Sequence, residues 1–177
     1  MVREPPRNLG QEDLDQAVVV ALGSNLPGRY GSSEALLEAA LARFPDVGLQ
    51  VLKRSSWWRS AAWPDPKGPE YRNGVALVEA QGPPEVVLAG LLQIEAALGR
   101  ARTERNAPRT LDLDLVAYGR EVRAGPGLIL PHPRAHARRF VMGPLAEIAP
   151  AWTHPLLGAT AATLAAEATV GADASRL

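Results

Sequence analysis

The order in which hydrophobic periods follow one another most constrains the fold of this chain. Ala17 to Leu22 is a short apolar run with three consecutive valines, ending at Gly23-Ser24-Asn25, the pattern of a buried strand running into a turn. Ser33 is placed to cap a helix whose Leu37, Ala40, Leu41 and Phe44 recur at helical spacing before Pro45. Val47 to Trp58 is rich in β-formers and is expected as one strand, and Tyr71 to Ala80 as the next. Between them Pro64, Pro66, Gly68 and Pro69 mark a long loop. Pro83-Pro84 opens a second helix, striped by Val87, Leu91, Ile94 and Leu98 and ended by Gly99. Leu111 to Tyr118 is a further strand, and short helices are expected around 142–148 and 161–168. Strand, helix, strand, strand, helix, strand is the split βαβ order of ferredoxin-like folds. The expected class is α+β: a sandwich with a mostly antiparallel sheet, helices on one face and a loop-rich side left for a site. Residues 1–16 are expected as a flexible N-terminal extension, 17–157 as a single domain and 158–177 as an Ala-rich C-terminal tail.

A length of 177 residues with 46% hydrophobic side chains supports one domain with its own core. The absence of cysteine excludes disulfides, Cys-ligated metal and thiol catalysis. No apolar run approaches the length of a membrane span or follows the N-terminus as a secretory signal would, so the cytoplasm is expected. Nineteen Lys and Arg balance nineteen Asp and Glu, which argues against a uniformly basic surface. Locally the balance breaks. Only Lys53 and Lys67 are lysines, and residues 100–139 hold nine arginines against four acids, a charge of +5. Arginine forks suit phosphate and carboxylate.

That basic stretch surrounds Asp112-Leu113-Asp114-Leu115. In a strand Asp112 and Asp114 point the same way while Leu113 and Leu115 face the core. Two such carboxylates are either a solvated edge or a site for a hard divalent cation, Mg²⁺ shared with substrate phosphates. Arg100, Arg102, Arg105 and Arg109 stand just before them; alone they would more often be a solvated loop, but beside carboxylates for a metal they make a phosphoryl-transfer arrangement. Glu95 lies on the shoulder of an apolar stripe, either reaching solvent or receiving donors from a ligand. His132 is held between Pro131 and Pro133 and is a candidate phosphate donor, whereas His136 and His154 have no comparable setting and do not suggest a zinc site. Gly23-Ser24-Asn25 reads as a tight turn after a strand, for it lacks the Gly-Lys-Ser/Thr of a phosphate loop. Tyr71 and Asn73 share a strand face, where a ring and an amide could meet a planar heterocycle.

Ala21-Leu22-Gly23-Ser24-Asn25-Leu26, Tyr71-Arg72-Asn73, the block Arg105 to Leu115 and Pro131-His132-Pro133-Arg134 stand in an order and spacing that resembles the 6-hydroxymethyl-7,8-dihydropterin pyrophosphokinases of folate biosynthesis. The likeness covers about residues 17–157. It implies transfer of pyrophosphate from ATP to the pterin hydroxymethyl group, with release of AMP. It implies that Asp112 and Asp114 hold two Mg²⁺ ions, that Arg100 and Arg109 act on the phosphates, and that Arg102 and Arg105 belong to a loop closing over ATP. Glu95, Leu115, His132 and Arg138 match nucleotide-contacting positions. Tyr71, Asn73 and Phe140 match the pterin pocket, lined also by the backbone of Ser60 and Ala61. ATP and the pterin are the implied partners, with no nucleic acid or membrane, and a monomer is expected. Three departures stand out: Asn106-Ala107 replaces a Trp-Gly of many members, Pro133 replaces a Tyr, and Gly127 and Ile129 replace an Arg and a Thr. The rival from the fold alone is a non-catalytic RNA-binding module, against which the strands lack interleaved basic and aromatic residues.

Overall fold

The computed structural model describes residues 8–62, 65–99 and 111–177. A short helix α1 (Gln11–Gln16) leads into β1 (Val18–Ser24). Then come α2 (Ser33–Ala42), β2 (Leu49–Arg54), β3 (Trp58–Ser60), β4 (Tyr71–Ala80), α3 (Pro84–Ala97) and β5 (Asp112–Tyr118). The small hairpin β6 (Arg123–Gly125) and β7 (Leu128–Leu130) is followed by α4 (Arg139–Ile148), α5 (Ala161–Glu167) and β8 (Ser175–Arg176). Ser32, one residue before the expected cap, accepts a hydrogen bond from Ala35 N–H at 3.0 Å and starts α2.

β1 lies antiparallel between β4 and β5. The single strand expected from Val47 to Trp58 is broken in two. β2 pairs with the C-terminal half of β4, Leu49 opposite Ala80, and β3 with its start, Ser60 opposite Tyr71. Ser55 stands at the break. Its N–H donates to the Val75 carbonyl at 2.9 Å and its hydroxyl accepts from the Val75 N–H at 3.0 Å. A side-chain oxygen thus stands in for a missing strand carbonyl, and β4 keeps both bonds while its partner changes.

Alternation along β1 makes both of its faces apolar. Val18, Val20 and Leu22 pack with Leu36 and Leu37 of α2 and Val87 and Leu91 of α3. Val19 and Ala21 pack with Val141, Met142 and Leu145 of α4 and Leu164 of α5. The α+β class and the split βαβ core stand, but helices cover both faces rather than one. Val19, Val75, Leu77 and Val116 form a second apolar face that burial against α4 and α5 removes from water.

Two boundaries change for the same reason. The tail expected from residue 158 belongs to this second layer: Ala161, Leu164 and Ala165 are buried in it, and β8 pairs with β3, Arg176 opposite Trp58. Within the expected N-terminal extension, Leu14 of α1 is buried in the same cluster. The alanines of the helix expected around 161–168 have small side chains that let α5 lie against α4. Gly143 does the same for α4 and β3, since an added Cβ would come within 2.6 Å of the Trp58 ring.

Candidate active site

The starts of β4 and β5 and the end of β1 meet at one end of the sheet because all three run antiparallel to their neighbours. The register sets Asn73 opposite Gly23, and Gly23 opposite Asp112. On the next row that faces the same way, Val75 and Asp114 flank Ala21. Two polar side chains thus stand on either side of the smallest residues of β1. Strands lie about 4.8 Å apart, so Asn73 and Asp112 are separated by roughly 10 Å across Gly23. A cavity of about 450 Å³ opens there, lined by Gly23, Asn73, Asp112 and Asp114 among others.

One side of the cavity is suited to a flat heterocycle. Tyr71, Ser60, Ala61, Phe140 and Arg138 all line it. Asn73 is 5% exposed, and its Nδ2 donates to the Ser60 Oγ at 2.9 Å, which fixes the amide plane. Arg72, between Tyr71 and Asn73, turns to the other face and pairs with Glu34 at 2.7 Å and Glu70 at 3.1 Å, confirming the alternation. The Arg138 guanidinium lies 5.8 Å from the centroid of the Phe140 ring.

The other side carries the carboxylates. Asp112 and Asp114 are half-buried and enter the same cavity, as the spacing predicts. Among the described residues no group of three His, Asp or Glu side chains could hold a metal. Two carboxylates alone suit Mg²⁺, which completes its octahedron with water and substrate phosphate rather than with an all-protein cage. His132, which is not among the residues lining the cavity, is held by a bulge further along β5. Between Val19 and Val20 the pairing with β5 shifts, so that Val116 stands opposite no residue of β1. Its carbonyl accepts the His132 N–H at 2.8 Å. His132 Nδ1 accepts the Arg134 N–H at 3.2 Å, which leaves Nε2 as the protonated nitrogen of the neutral ring. Burial and the nearby Arg138 and Arg134 hold its pKa below the ordinary histidine value, against the pull of Asp112.

Other expected positions fall elsewhere. Glu95 neither reaches solvent nor lines the cavity: it is 2% exposed, and its Oε1 accepts the Leu113 N–H at 2.8 Å, between the two aspartates. Leu115 is buried in the layer under α2 and α3. Arg100, Arg102, Arg105, Arg109 and the Asn106-Ala107 pair lie outside the described residues. The two histidines set aside in the sequence have definite settings. His136 lines the cavity. His154, 4% exposed, packs edge-on to it with ring centroids 5.7 Å apart, and its Nδ1 accepts from Leu156 and Leu157 N–H. Gly23, Pro133, Arg134 and Val170 also line the cavity without having been singled out as site residues. Gly23 stands in a motif that carries the family resemblance, but the register of β1 is what gives it a place between Asn73 and Asp112, and no local signal marks Val170.

Residues 19–150 match the family model of 7,8-dihydro-6-hydroxymethylpterin-pyrophosphokinase (HPPK), three quarters of the chain. The chain belongs to the HPPK family. A pyrophosphokinase of this name from Synechocystis is 43% identical over 143 residues, covering 80% of this chain and 71% of the relative. The one from Pseudomonas aeruginosa is 40% identical over 139 residues, covering 76% and 82%. HPPK sequence also occurs within longer proteins. The folic acid synthesis protein of Pneumocystis carinii is 36% identical over 149 residues, 84% of this chain but 20% of that one. A Plasmodium falciparum HPPK-DHPS crystal structure superposes with a TM-score of 0.65 at 12% identity, over 85% of this chain and 42% of that one, and so shares the fold. Among the described residues helices pack on both faces of the sheet, and the RNA-binding alternative has no support.

Proposed function

We propose that this chain transfers the pyrophosphoryl group of ATP to the hydroxymethyl oxygen of 6-hydroxymethyl-7,8-dihydropterin. The observation that carries this is the row Asn73, Gly23, Asp112, which sets a heterocycle-binding amide and a metal-binding carboxylate on two sides of one cavity. The hydroxymethyl oxygen bonds to the β-phosphorus and releases its proton to solvent, the bond to the α,β-bridging oxygen breaks, and AMP leaves with that electron pair.

Each described residue has a part in this reading. Tyr71 and Phe140 take the faces of the pterin, and Asn73, its amide set by Ser60, hydrogen-bonds the ring edge. The backbone of Ser60 and Ala61 closes that side. Asp112 and Asp114 would hold two Mg²⁺ ions, which when bound neutralise the bridging phosphates. Asp112 would also help to position the attacking hydroxyl, as the resemblance implies. His132 donates from Nε2 to a phosphate, and Arg138 adds a fixed positive charge. Arg100 and Arg109 would stabilise charge during transfer, and Arg102 and Arg105 would close over ATP, as the resemblance implies. Glu95 serves the nucleotide side through β5, holding Leu113 so that both aspartates face the cavity. A monomer is the proposed state.

Incubation with ATP, Mg²⁺ and the reduced pterin is expected to give AMP and the pterin pyrophosphate in equal amounts. Formation of ADP in place of AMP would show the reaction to be different. Asp114→Ala is expected to lower turnover by about a hundredfold or more while the pterin still binds, because a lost metal ligand removes charge stabilisation. Near-normal turnover in that variant would sink the metal assignment.

A further inference from the structure

The family match ends at residue 150, yet the cavity does not. Val170 lines it, and the backbone around Val170 is tied to the segment that bears Arg138 and Phe140. The Val170 N–H donates to the Ala137 carbonyl at 3.0 Å, and the Val170 carbonyl accepts from the Arg139 N–H at 2.8 Å. The next residue, Gly171, has a φ of +65°, and an added Cβ would come within 2.5 Å of Phe140 Cδ1. Only glycine adopts that conformation readily and lets the backbone lie on the ring. Two residues further on, the Asp173 carboxylate accepts the Ala61 N–H at 2.6 Å. The Ala174 carbonyl accepts from Arg139 Nε at 3.1 Å, and β8 then joins the edge of β3. One short segment therefore holds both the Phe140 side and the Ala61 side of the cavity.

We propose that residues 168–177 form a specificity-determining wall of the heterocycle subsite, with Val170 in contact with the ligand and Asp173 as a positioning residue. This rests on the pterin reading above. Asp173 does not touch the ligand. It takes the outward N–H of Ala61 in a short, charge-assisted hydrogen bond and so orients the peptide that borders the ring. Val170 sets the room left beside Phe140. Both act on the planar bicyclic substrate. Of the proposed triphosphate partners, Asp112, Asp114 and His132 belong to β5 and the segment after β7, and Arg138 meets the wall through the backbone bridge to Val170, which neither substitution removes.

The experiment is steady-state kinetics of AMP release, with the 6-hydroxymethyl-7,8-dihydropterin and ATP varied in turn. The full-length protein is compared with Val170→Trp, Asp173→Ala and Asp173→Asn. Val170→Trp is expected to raise the pterin KM by about tenfold or more, since overfilling displaces the ring from its reacting position. Asp173→Ala is expected to raise it by about fivefold, the effect of one lost hydrogen bond. In both, the ATP KM should move by less than about twofold. Asp173→Asn keeps an acceptor oxygen and should recover most of the loss. Asp173 is exposed, and an unchanged melting temperature is expected for both of its variants. An unchanged pterin KM in Val170→Trp and Asp173→Ala would overturn the proposal. So would an equal rise in the ATP KM, or an Asp173→Asn as impaired as Asp173→Ala. No AMP from the unaltered protein would instead overturn the reaction itself.

Discussion

Gly23 is the residue on which the two halves of the cavity depend, and it acts by having no side chain. Its neighbours across the sheet are Asn73 and Asp112, and a Cβ there would lie 3.5 Å from Asn73 Oδ1, an ordinary contact. Its φ is not in the left-handed region, so the backbone would accept a larger residue. Gly23→Val is therefore expected to leave the melting temperature nearly unchanged. It should lower kcat/KM by about tenfold or more by occupying the space between amide and carboxylate. A loss of stability matching the loss of activity would show that Gly23 matters to packing instead. At this scale part of the site is plain in the sequence, because alternation alone aims Asp112 and Asp114, and Tyr71 and Asn73, in common directions. Gly23 is hidden because its role depends on two partners about 50 and 90 residues away. His136 is hidden because its cavity position depends on a turn that periodicity does not describe.

Among the elements, α4 departs furthest from what a split βαβ order provides, and it is anchored by one carboxylate. Glu147 accepts from Ser56 N–H at 3.0 Å, Ser56 Oγ at 2.7 Å and Trp58 Nε1 at 2.8 Å, so it ties α4 to the link between β2 and β3. Burial pushes its carboxyl up, but the bonds from Trp58 and Ser56 outweigh this and hold it below the ordinary carboxylate value. Glu147→Ala is expected to destabilise the protein by about 1–3 kcal/mol, since it strands three donors. Glu147→Gln should cost less. Chemical denaturation at neutral pH measures both, and an unaltered midpoint in Glu147→Ala would refute the anchoring role. The helices were legible where apolar spacing is regular, in α2 and α3. The break between β2 and β3 was not, because the Ser55 hydroxyl preserves the bonding of β4 and the β-forming residues run straight through it. The C-terminal helices α4 and α5 were legible around 142–148 and 161–168, but their packing as a second layer was not, because helical spacing does not say which face of the sheet a helix covers.

Across the whole molecule, a net charge of zero conceals a separation in which the basic segment borders the two aspartates. The fold also sets a pH dependence. Burial, then His136 and Arg120, lower the His154 pKa from 6.5 to about 4. The unfolded chain takes up a proton near pH 6.5 that the folded chain refuses until about pH 4. The contribution of neutral His154 is thus fully present above pH 6.5 and is lost progressively as the pH falls toward 4. Melting temperatures measured over that range should decline, and His154→Gln should flatten the decline. A profile unaltered by that substitution would place the acid sensitivity elsewhere. The order of strands and helices was readable at this scale, since a sheet with apolar residues on alternate positions admits few arrangements. The bulge at Val116 was not, for it shows only when β5 is laid against β1. Deleting Val116 would restore continuous pairing of β5 with β1 and take away the carbonyl that accepts the His132 N–H, so the irregularity lends a strand one bond outside its own sheet.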